Sequence, residues 1–92
     1  MDALAAVEVS LPPALTALFP GCPSQVRVSA ATVAEAIAAL NRSWPGLRER
    51  LCDDRPSLRR HLRVFVAGEI AVLETPLAAG DEVFVVTAIS GG

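Results

Sequence analysis

Lysine is absent from this sequence, since all eight basic residues are arginine. A lysine nucleophile or a lysine Schiff base is therefore excluded, and the chain cannot be modified on a lysine side chain. Ten acidic residues outnumber the arginines and give a formal net charge of −2. This charge gives no reason to expect a nucleic acid or an anionic membrane surface as a partner.

The sequence also lacks residues in metal-binding or catalytic patterns. Cys22 and Cys52 have no metal-type spacing, and the single histidine, His61, cannot complete a metal cluster with them. We expect both cysteines to be ordinary reduced thiols and His61 to lie at the surface or at a strand edge. No acid–base pair or activated nucleophile can be assembled, which predicts a protein that is not an enzyme.

Long apolar runs are missing as well, and none approaches the ~20 residues of a membrane-spanning helix. Met1 and Asp2 begin the chain without the basic segment of a signal peptide. We therefore expect a cytoplasmic protein without a membrane partner. Its 92 residues, 52% of them hydrophobic, predict a single globular domain over residues 1–92.

Alternation of apolar and polar residues predicts the strands. They are expected within residues 3–11 and at residues 25–29, 62–66, 70–72 and 82–87. The first two should pair antiparallel. Pro12 and Pro13 end the first strand, and the ordered loop that follows is expected to hold one helical turn at residues 14–18.

The main helix is predicted over residues 32–42. Thr32 and Glu35 have the spacing of a capping box, in which each side chain satisfies a free backbone N–H group of the first turn. An apolar face then recurs at helical spacing, formed by Val33, Ile37, Leu40 and Trp44. The Pro-Gly pair at residues 45 and 46 ends this helix, and residues 47–51 are expected to form a further short turn.

These elements predict an α+β fold in the order β-β-α-β-β-β, with a mixed sheet of four to five strands and one main helix on one face. The opposite face must then be solvated or occupied by a partner. Strand parity places four residues there, namely Arg63, Phe65, Phe84 and Val86. An exposed apolar cluster of this kind marks an interaction site, so we predict a docking face. The alternatives are that the parity is wrong or that residues 12–23 cover the cluster.

The sequence ends in Gly91 and Gly92, just after the last predicted strand. Four extended residues span at most ~13 Å, and glycine adopts backbone angles that are closed to other residues. Residues 89–92 are therefore expected to form an extended, flexible tail. In this interpretation Ala88, Ile89, Ser90 and Gly91 thread into a partner's active site. The alternative is an ordinary frayed terminus.

Three segments carry a resemblance to a known family. They are Val-Ala-Gly at residues 66–68, Leu77 with Gly-Asp-Glu-Val at residues 80–83, and Ala-Ile-Ser-Gly-Gly at residues 88–92. In the first segment the family often has asparagine at the middle position. Together with the element order, they resemble the β-grasp, or ubiquitin-like, sulfur-carrier proteins of prokaryotes. These proteins supply the molybdopterin, thiamin and related pathways. The resemblance covers essentially the whole chain.

Two differences from the usual family pattern indicate a particular sub-branch of that family. Thr87 and Ala88 stand where many molybdopterin-pathway carriers have Pro-Pro, and the chain is longer through residues 11–23 and 53–61. The first of these longer segments, and the arginine-rich residues 58–62, are similar to a sub-branch that feeds cysteine biosynthesis or sulfur-containing natural products. The resemblance therefore favours that sub-branch.

The resemblance implies that Gly92 is the site of sulfur attachment. An E1-like adenylyltransferase and sulfurtransferase would adenylate its carboxylate with ATP and Mg²⁺, and sulfide or a persulfide would displace AMP to give a thiocarboxylate. The accepting enzyme would be a cysteine-synthase-like pyridoxal-phosphate enzyme or the large subunit of molybdopterin synthase. The chain itself would bind no cofactor, act as a protein cosubstrate and be a monomer when free.

Three other functions stay open from the sequence. The first alternative is that the chain is the small subunit of molybdopterin synthase, in which the same tail inserts into the large subunit. A second alternative is a ubiquitin-like modifier that is joined to target lysines through Gly92. The third is a β-grasp interaction module whose last two glycines have no role.

Overall fold

The computed structural model describes residues 5–52 and 62–87. Its strands are β1 (Ala5–Ser10), β2 (Gln25–Ala30), β3 (Leu62–Val66), β4 (Glu69–Ala71) and β5 (Glu82–Thr87). Its helices are α1 (Pro13–Thr16), α2 (Val33–Ser43) and α3 (Leu47–Leu51). No helix in these described ranges is long and apolar enough to cross a membrane.

The five strands form one mixed sheet in the order β2-β1-β5-β3-β4. The middle strand, β5, is parallel to its neighbour β1, whereas the other neighbouring strands are antiparallel. This is the predicted α+β arrangement, with five strands and α2 as the main helix. The last strand in the chain therefore lies in the middle of the sheet.

The hydrophobic core lies on one face of the sheet, beneath α2. The apolar positions of β1, β3 and β5 are buried there, as their alternation predicts: Val7, Val9, Leu62, Val64, Val66, Val83 and Val85. From α2, Val33, Ile37 and Leu40 are buried against them, while Trp44 packs at the margin and is partly buried. Removing these side chains from water is the main favourable contribution to folding.

The first turn of α2 is capped partly as predicted and partly from elsewhere in the chain. The Thr32 hydroxyl accepts a hydrogen bond from the Glu35 N–H at 3.2 Å. A capping box would also have the Glu35 carboxylate accept from the N–H of Thr32. The carboxylate instead accepts from the N–H of Ala31 at 3.0 Å, so this part of the prediction is wrong by one residue. The segment before β5 supplies the remaining acceptors, since Val33 donates to the Thr75 carbonyl and Ala34 to the Leu73 carbonyl.

Two predicted boundaries need correction. The helical turn after β1 begins at Pro13 rather than at residue 14, because proline at the first helical position has its φ angle already set and no N–H to satisfy. The fourth strand is Glu69–Ala71 rather than residues 70–72, because the hairpin turn is closed by residues 67 and 68 alone and pairing begins directly after it.

Candidate functional site: the end of the central strand and the open sheet face

β5 lies between β1 and β3, and near its start it is paired on both sides. Val83 pairs with Val9 of β1 on one side and with Val66 of β3 on the other. Thr87, at the end of the strand, pairs with Leu62. The chain segment that follows Thr87 therefore continues from the middle strand of the sheet, at an end that is paired with β3.

The turn before β5 explains the Gly-Asp part of the family-like motif. Gly80 has a φ of +88°, a conformation that glycine adopts without the steric cost of a Cβ atom. One carboxylate oxygen of Asp81 accepts a hydrogen bond from the N–H of Ala78 at 2.8 Å, which closes the turn. The Asp81 carbonyl then accepts from the N–H of Glu8 at 3.2 Å. These bonds fix the register of β5 against β1.

The predicted tail lies outside the described residues. This applies to Ala88, Ile89, Ser90, Gly91 and Gly92, whose roles therefore stay predictions. The same holds for His61 and for residues 59 and 60, the two arginines before β3.

The structure brings the four predicted docking residues together on the sheet face opposite α2. Phe65 pairs directly across from Phe84, and Arg63 pairs directly across from Val86. The alternate residues of the same strands, such as Val64 and Val85, face α2 and are buried. Phe84 is 40% exposed and Val86 is 37% exposed, so the described residues, including the loop after β1, leave this face uncovered.

One further member of this face was missed from the sequence. Ile70 pairs across from Phe65 on the other side of β3 and is 67% exposed. Because β4 is only three residues long, its alternation is too short to assign an outward side chain from sequence alone. We call Phe65, Ile70, Phe84 and Val86 the apolar sheet face.

Arg63 borders the apolar sheet face and is not freely mobile. One guanidinium nitrogen, Nη1, donates a hydrogen bond to the carbonyl of Leu62 at 2.9 Å. An arginine held in this way presents its charge at a defined place, and a guanidinium carries five N–H donors. It is suited to meeting a carboxylate on a docked surface.

The two cysteines do not form a reactive site. Cys52 is buried, and burial raises the pKa of the half-buried Cys22 thiol. The thiolate is the nucleophilic form, so a raised pKa lowers its population at neutral pH. No group of histidine, cysteine and carboxylate residues that could hold a metal occurs within residues 5–52 and 62–87.

A cavity of about 630 Å³ opens beside the end of β5. Leu15 and Leu18 line it from the segment around α1, and Leu62 and Thr87 line it from the sheet. Sequence reasoning did not indicate this cavity, because it forms where segments distant in sequence meet. Glu49 and Arg50 of α3 also line it, so the cavity beside the strand end has both apolar and charged walls.

The sequence matches the ThiS family over residues 21–92. It is also similar to small archaeal modifier protein 1 of Haloferax volcanii, with 40% identity over 62 residues, which are 67% of this chain and 71% of that protein. The matched range contains α2, all strands from β2 onward and the two terminal glycines.

Solved structures share the fold along nearly the whole chain. A chain of the Amycolatopsis orientalis BexX/CysO complex superposes with a TM-score of 0.84 at 31% identity, covering 95% of this chain and 100% of that one. Mycobacterium tuberculosis CysO gives a TM-score of 0.82 at 30% identity, covering 90% and 99%. Small archaeal modifier protein 1 from Haloferax volcanii gives 0.79 at 34%, covering 96% and 100%. The chain has the predicted β-grasp fold and belongs to the ThiS family, a ubiquitin-like family of small sulfur-carrier and modifier proteins.

Proposed function

We propose that this protein is a sulfur carrier whose Gly92 carboxylate is adenylated and then converted to a thiocarboxylate. The observation that carries the proposal is that the family match runs through residue 92, where the sequence reads Gly-Gly. The position of β5 supports it, because residues 88–92 continue from the middle strand of the sheet, whose end is paired with β3.

Activation is required because a carboxylate is a poor electrophile. An E1-like adenylyltransferase transfers AMP from ATP to the Gly92 carboxylate and releases pyrophosphate, with Mg²⁺ as the metal of that enzyme. Sulfide then attacks the acyl carbon and AMP leaves, which forms the thiocarboxylate. A persulfide can attack in place of sulfide, which gives an acyl disulfide. A thiol then cleaves the sulfur–sulfur bond, which leaves the thiocarboxylate and a new disulfide. All catalytic residues belong to the partners, and this chain contributes the acyl group and a docking surface.

The apolar sheet face, with Arg63 beside it, is proposed as the surface that docks on the activating enzyme. Its three exposed members, Ile70, Phe84 and Val86, lie on strands β4 and β5 of one continuous sheet. Burying such side chains contributes about 25 cal/mol per Å² of apolar area removed from water. A partner placed on this face also lies next to the strand from which residues 88–92 continue.

The sulfur acceptor is proposed to be a cysteine-synthase-like pyridoxal-phosphate enzyme in a pathway to cysteine or a sulfur-containing metabolite. Support comes from the likeness to CysO chains over at least 90% of this chain and from the lengthened segment after β1. The alternative is the large subunit of molybdopterin synthase, with this chain as the small subunit. The two are distinguished by which of these enzymes co-purifies with the chain.

A ubiquitin-like modifier is the second candidate function, favoured by the 40% identity to small archaeal modifier protein 1. The same Gly92 adenylate would then react with a target lysine and form an isopeptide bond. Since this chain has no lysine, it cannot extend such a conjugate through a lysine of a second copy. Conjugates in cells would therefore carry single copies at each target lysine.

The adenylation step is tested by ATP–pyrophosphate exchange with an E1-like adenylyltransferase from the same genome. Exchange is expected with the full chain and is lost when Gly91 and Gly92 are deleted. If exchange proceeds equally with both chains, Gly92 is not the activated group. Mass spectrometry of cell extracts then separates the two functions, because a modifier gives isopeptide-linked lysines and a carrier alone does not.

A further inference from the structure

The outer edge of β2 is an open strand edge. β2 is the first strand in the sheet order, and no described residue pairs along its outer side. Val26 and Val28 pack against the core from this edge but are only half-buried. Such an edge presents unpaired N–H and C=O groups to solvent, and another strand can pair with it.

The backbone hydrogen bonds of β1 show which groups of β2 are unpaired. The N–H of Glu8 donates to Asp81 and the carbonyl of Ala6 accepts from Gly80, so these even-numbered residues point toward β5. Successive residues of a strand direct their N–H and C=O groups to opposite edges. Val7 and Val9 therefore bond to β2, and the N–H of Leu11 correspondingly donates to Ser24.

In the antiparallel register Val7 lies across from Val28 and Val9 lies across from Val26. These pairs use the backbone groups of Val26 and Val28. The backbone groups of Arg27 and Ser29 therefore point outward, where an added strand would meet them.

The side chains of β2 indicate which strand would fit. On its inner edge β2 already pairs with Val7, Glu8 and Val9, placed opposite Val28, Arg27 and Val26. Val26, Arg27 and Val28 would also lie beside the side chains of a strand added at the outer edge, because each side chain of a strand contacts both neighbouring strands. Arg27 is exposed, and its guanidinium has five N–H donors, so it can bind a carboxylate on an added strand.

We propose that the outer edge of β2 binds an extended segment of a partner protein in antiparallel orientation, with an acidic residue flanked by two apolar β-branched residues. The acidic side chain lies opposite Arg27, and the apolar side chains cover the half-exposed Val26 and Val28. Backbone bonds to Arg27 and Ser29 supply the affinity, as in other strand additions. This site is on the sheet edge away from β4, and it does not depend on the role of Gly92.

The test uses a capped peptide with the sequence of residues 5–10, Ala-Ala-Val-Glu-Val-Ser, and amide hydrogen exchange of the full chain. In the free protein the amides of Arg27 and Ser29 are expected to exchange fast, and those of Val26 and Val28 slowly. Added peptide should slow the exchange of the Arg27 and Ser29 amides and leave the amides of Phe65 and Phe84 unchanged.

Two variants check the chemistry. Arg27→Glu should weaken peptide binding roughly fivefold, since a cross-strand pair of opposite charges becomes a repulsive one. Binding should return with the peptide carrying Glu8→Lys. Ser29→Pro removes an outward N–H and should abolish binding, whereas Ser29→Ala keeps that N–H and should bind normally.

Three results would overturn the proposal. In the first, the Arg27 and Ser29 amides are already protected in the free, monomeric protein. In the second, peptide at millimolar concentration changes neither amide. In the third, protection rises with protein concentration while the molecular mass doubles, which identifies a second copy of this chain as the occupant.

Discussion

Ala67 shows how one residue keeps a strained backbone in an otherwise regular hairpin. Its φ is +53° and that of the following Gly68 is +86°. A two-residue hairpin turn of type I′ needs positive φ at both central positions, for which asparagine and glycine are favoured. Alanine has no side-chain group to offset the steric cost of this conformation. The turn between β3 and β4 therefore carries a local strain.

Ala67→Asn is expected to raise the free energy of unfolding by about 0.5–1 kcal/mol, because asparagine tolerates the left-handed region better. Denaturant unfolding measures this change. Gly68→Ala is the matched control and should lower the free energy of unfolding by about 1 kcal/mol. An added Cβ at Gly68 meets nothing within 4 Å, so this cost is conformational and not steric. Equal or lower stability of Ala67→Asn would refute the strain.

At the scale of elements, Asn41 joins α2 to α3. Its side-chain oxygen accepts hydrogen bonds from the N–H of Gly46 and the N–H of Arg48, both at 3.1 Å. Gly46, the residue before α3, has no side chain to cap that helix. A residue of the preceding helix therefore takes over the capping role.

Asn41→Ala is expected to lower the free energy of unfolding by about 1–2 kcal/mol, because two N–H groups at the start of α3 lose their acceptor. Asn41→Asp is the control: it keeps an oxygen acceptor and places a negative charge at the N-terminal end of α3, so it should be close to wild type. Thermal unfolding of both variants distinguishes them. If alanine and aspartate are equally stable, the side-chain bonds make no net contribution.

The apolar sheet face gives a second prediction at this scale. Phe84→Asp should weaken binding to the activating enzyme at least tenfold, because about 1.4 kcal/mol of lost apolar burial already gives that factor. Its stability should fall by much less than that of a variant at a fully buried position, since Phe84 is 40% exposed. Calorimetric titration and denaturant unfolding measure the two effects separately.

Val85→Asp is the matched variant on the next residue. Val85 is buried at 4% exposure, so an aspartate there places a charge in the core and should unfold the domain. If Phe84→Asp instead unfolds the protein and leaves the affinity of the remaining folded fraction unchanged, the face is structural and not a docking surface.

The strands and their faces were predictable from sequence because the required signal is local. Val64 and Val85 alternate with Phe65 and Phe84, and this alternation alone assigns the buried and open faces of the sheet. The capping of α2 by the Thr75 carbonyl and of α3 by Asn41 was not predictable. Both depend on which distant segment reaches a helix end, and a linear pattern does not contain that information. Ile70 was missed because its strand is short.

At the scale of the whole molecule, the fold, the apolar sheet face and the family match converge on the end of β5. The last strand, β5, ends at Thr87, so deletion of Gly91 and Gly92 is expected to leave the unfolding midpoint unchanged. The same deletion should abolish activation. The chain without the two glycines is therefore a folded control for every experiment on sulfur transfer.

The most direct measurement is the intact mass of the full chain after incubation with an E1-like adenylyltransferase, ATP, Mg²⁺ and sulfide. We expect the mass increase of one oxygen-to-sulfur exchange, located at Gly92 by fragmentation, and no increase in the chain lacking Gly91 and Gly92. An unchanged mass of the full chain, in a reaction where a ThiS-family carrier is converted by its own activating enzyme in parallel, would contradict the account.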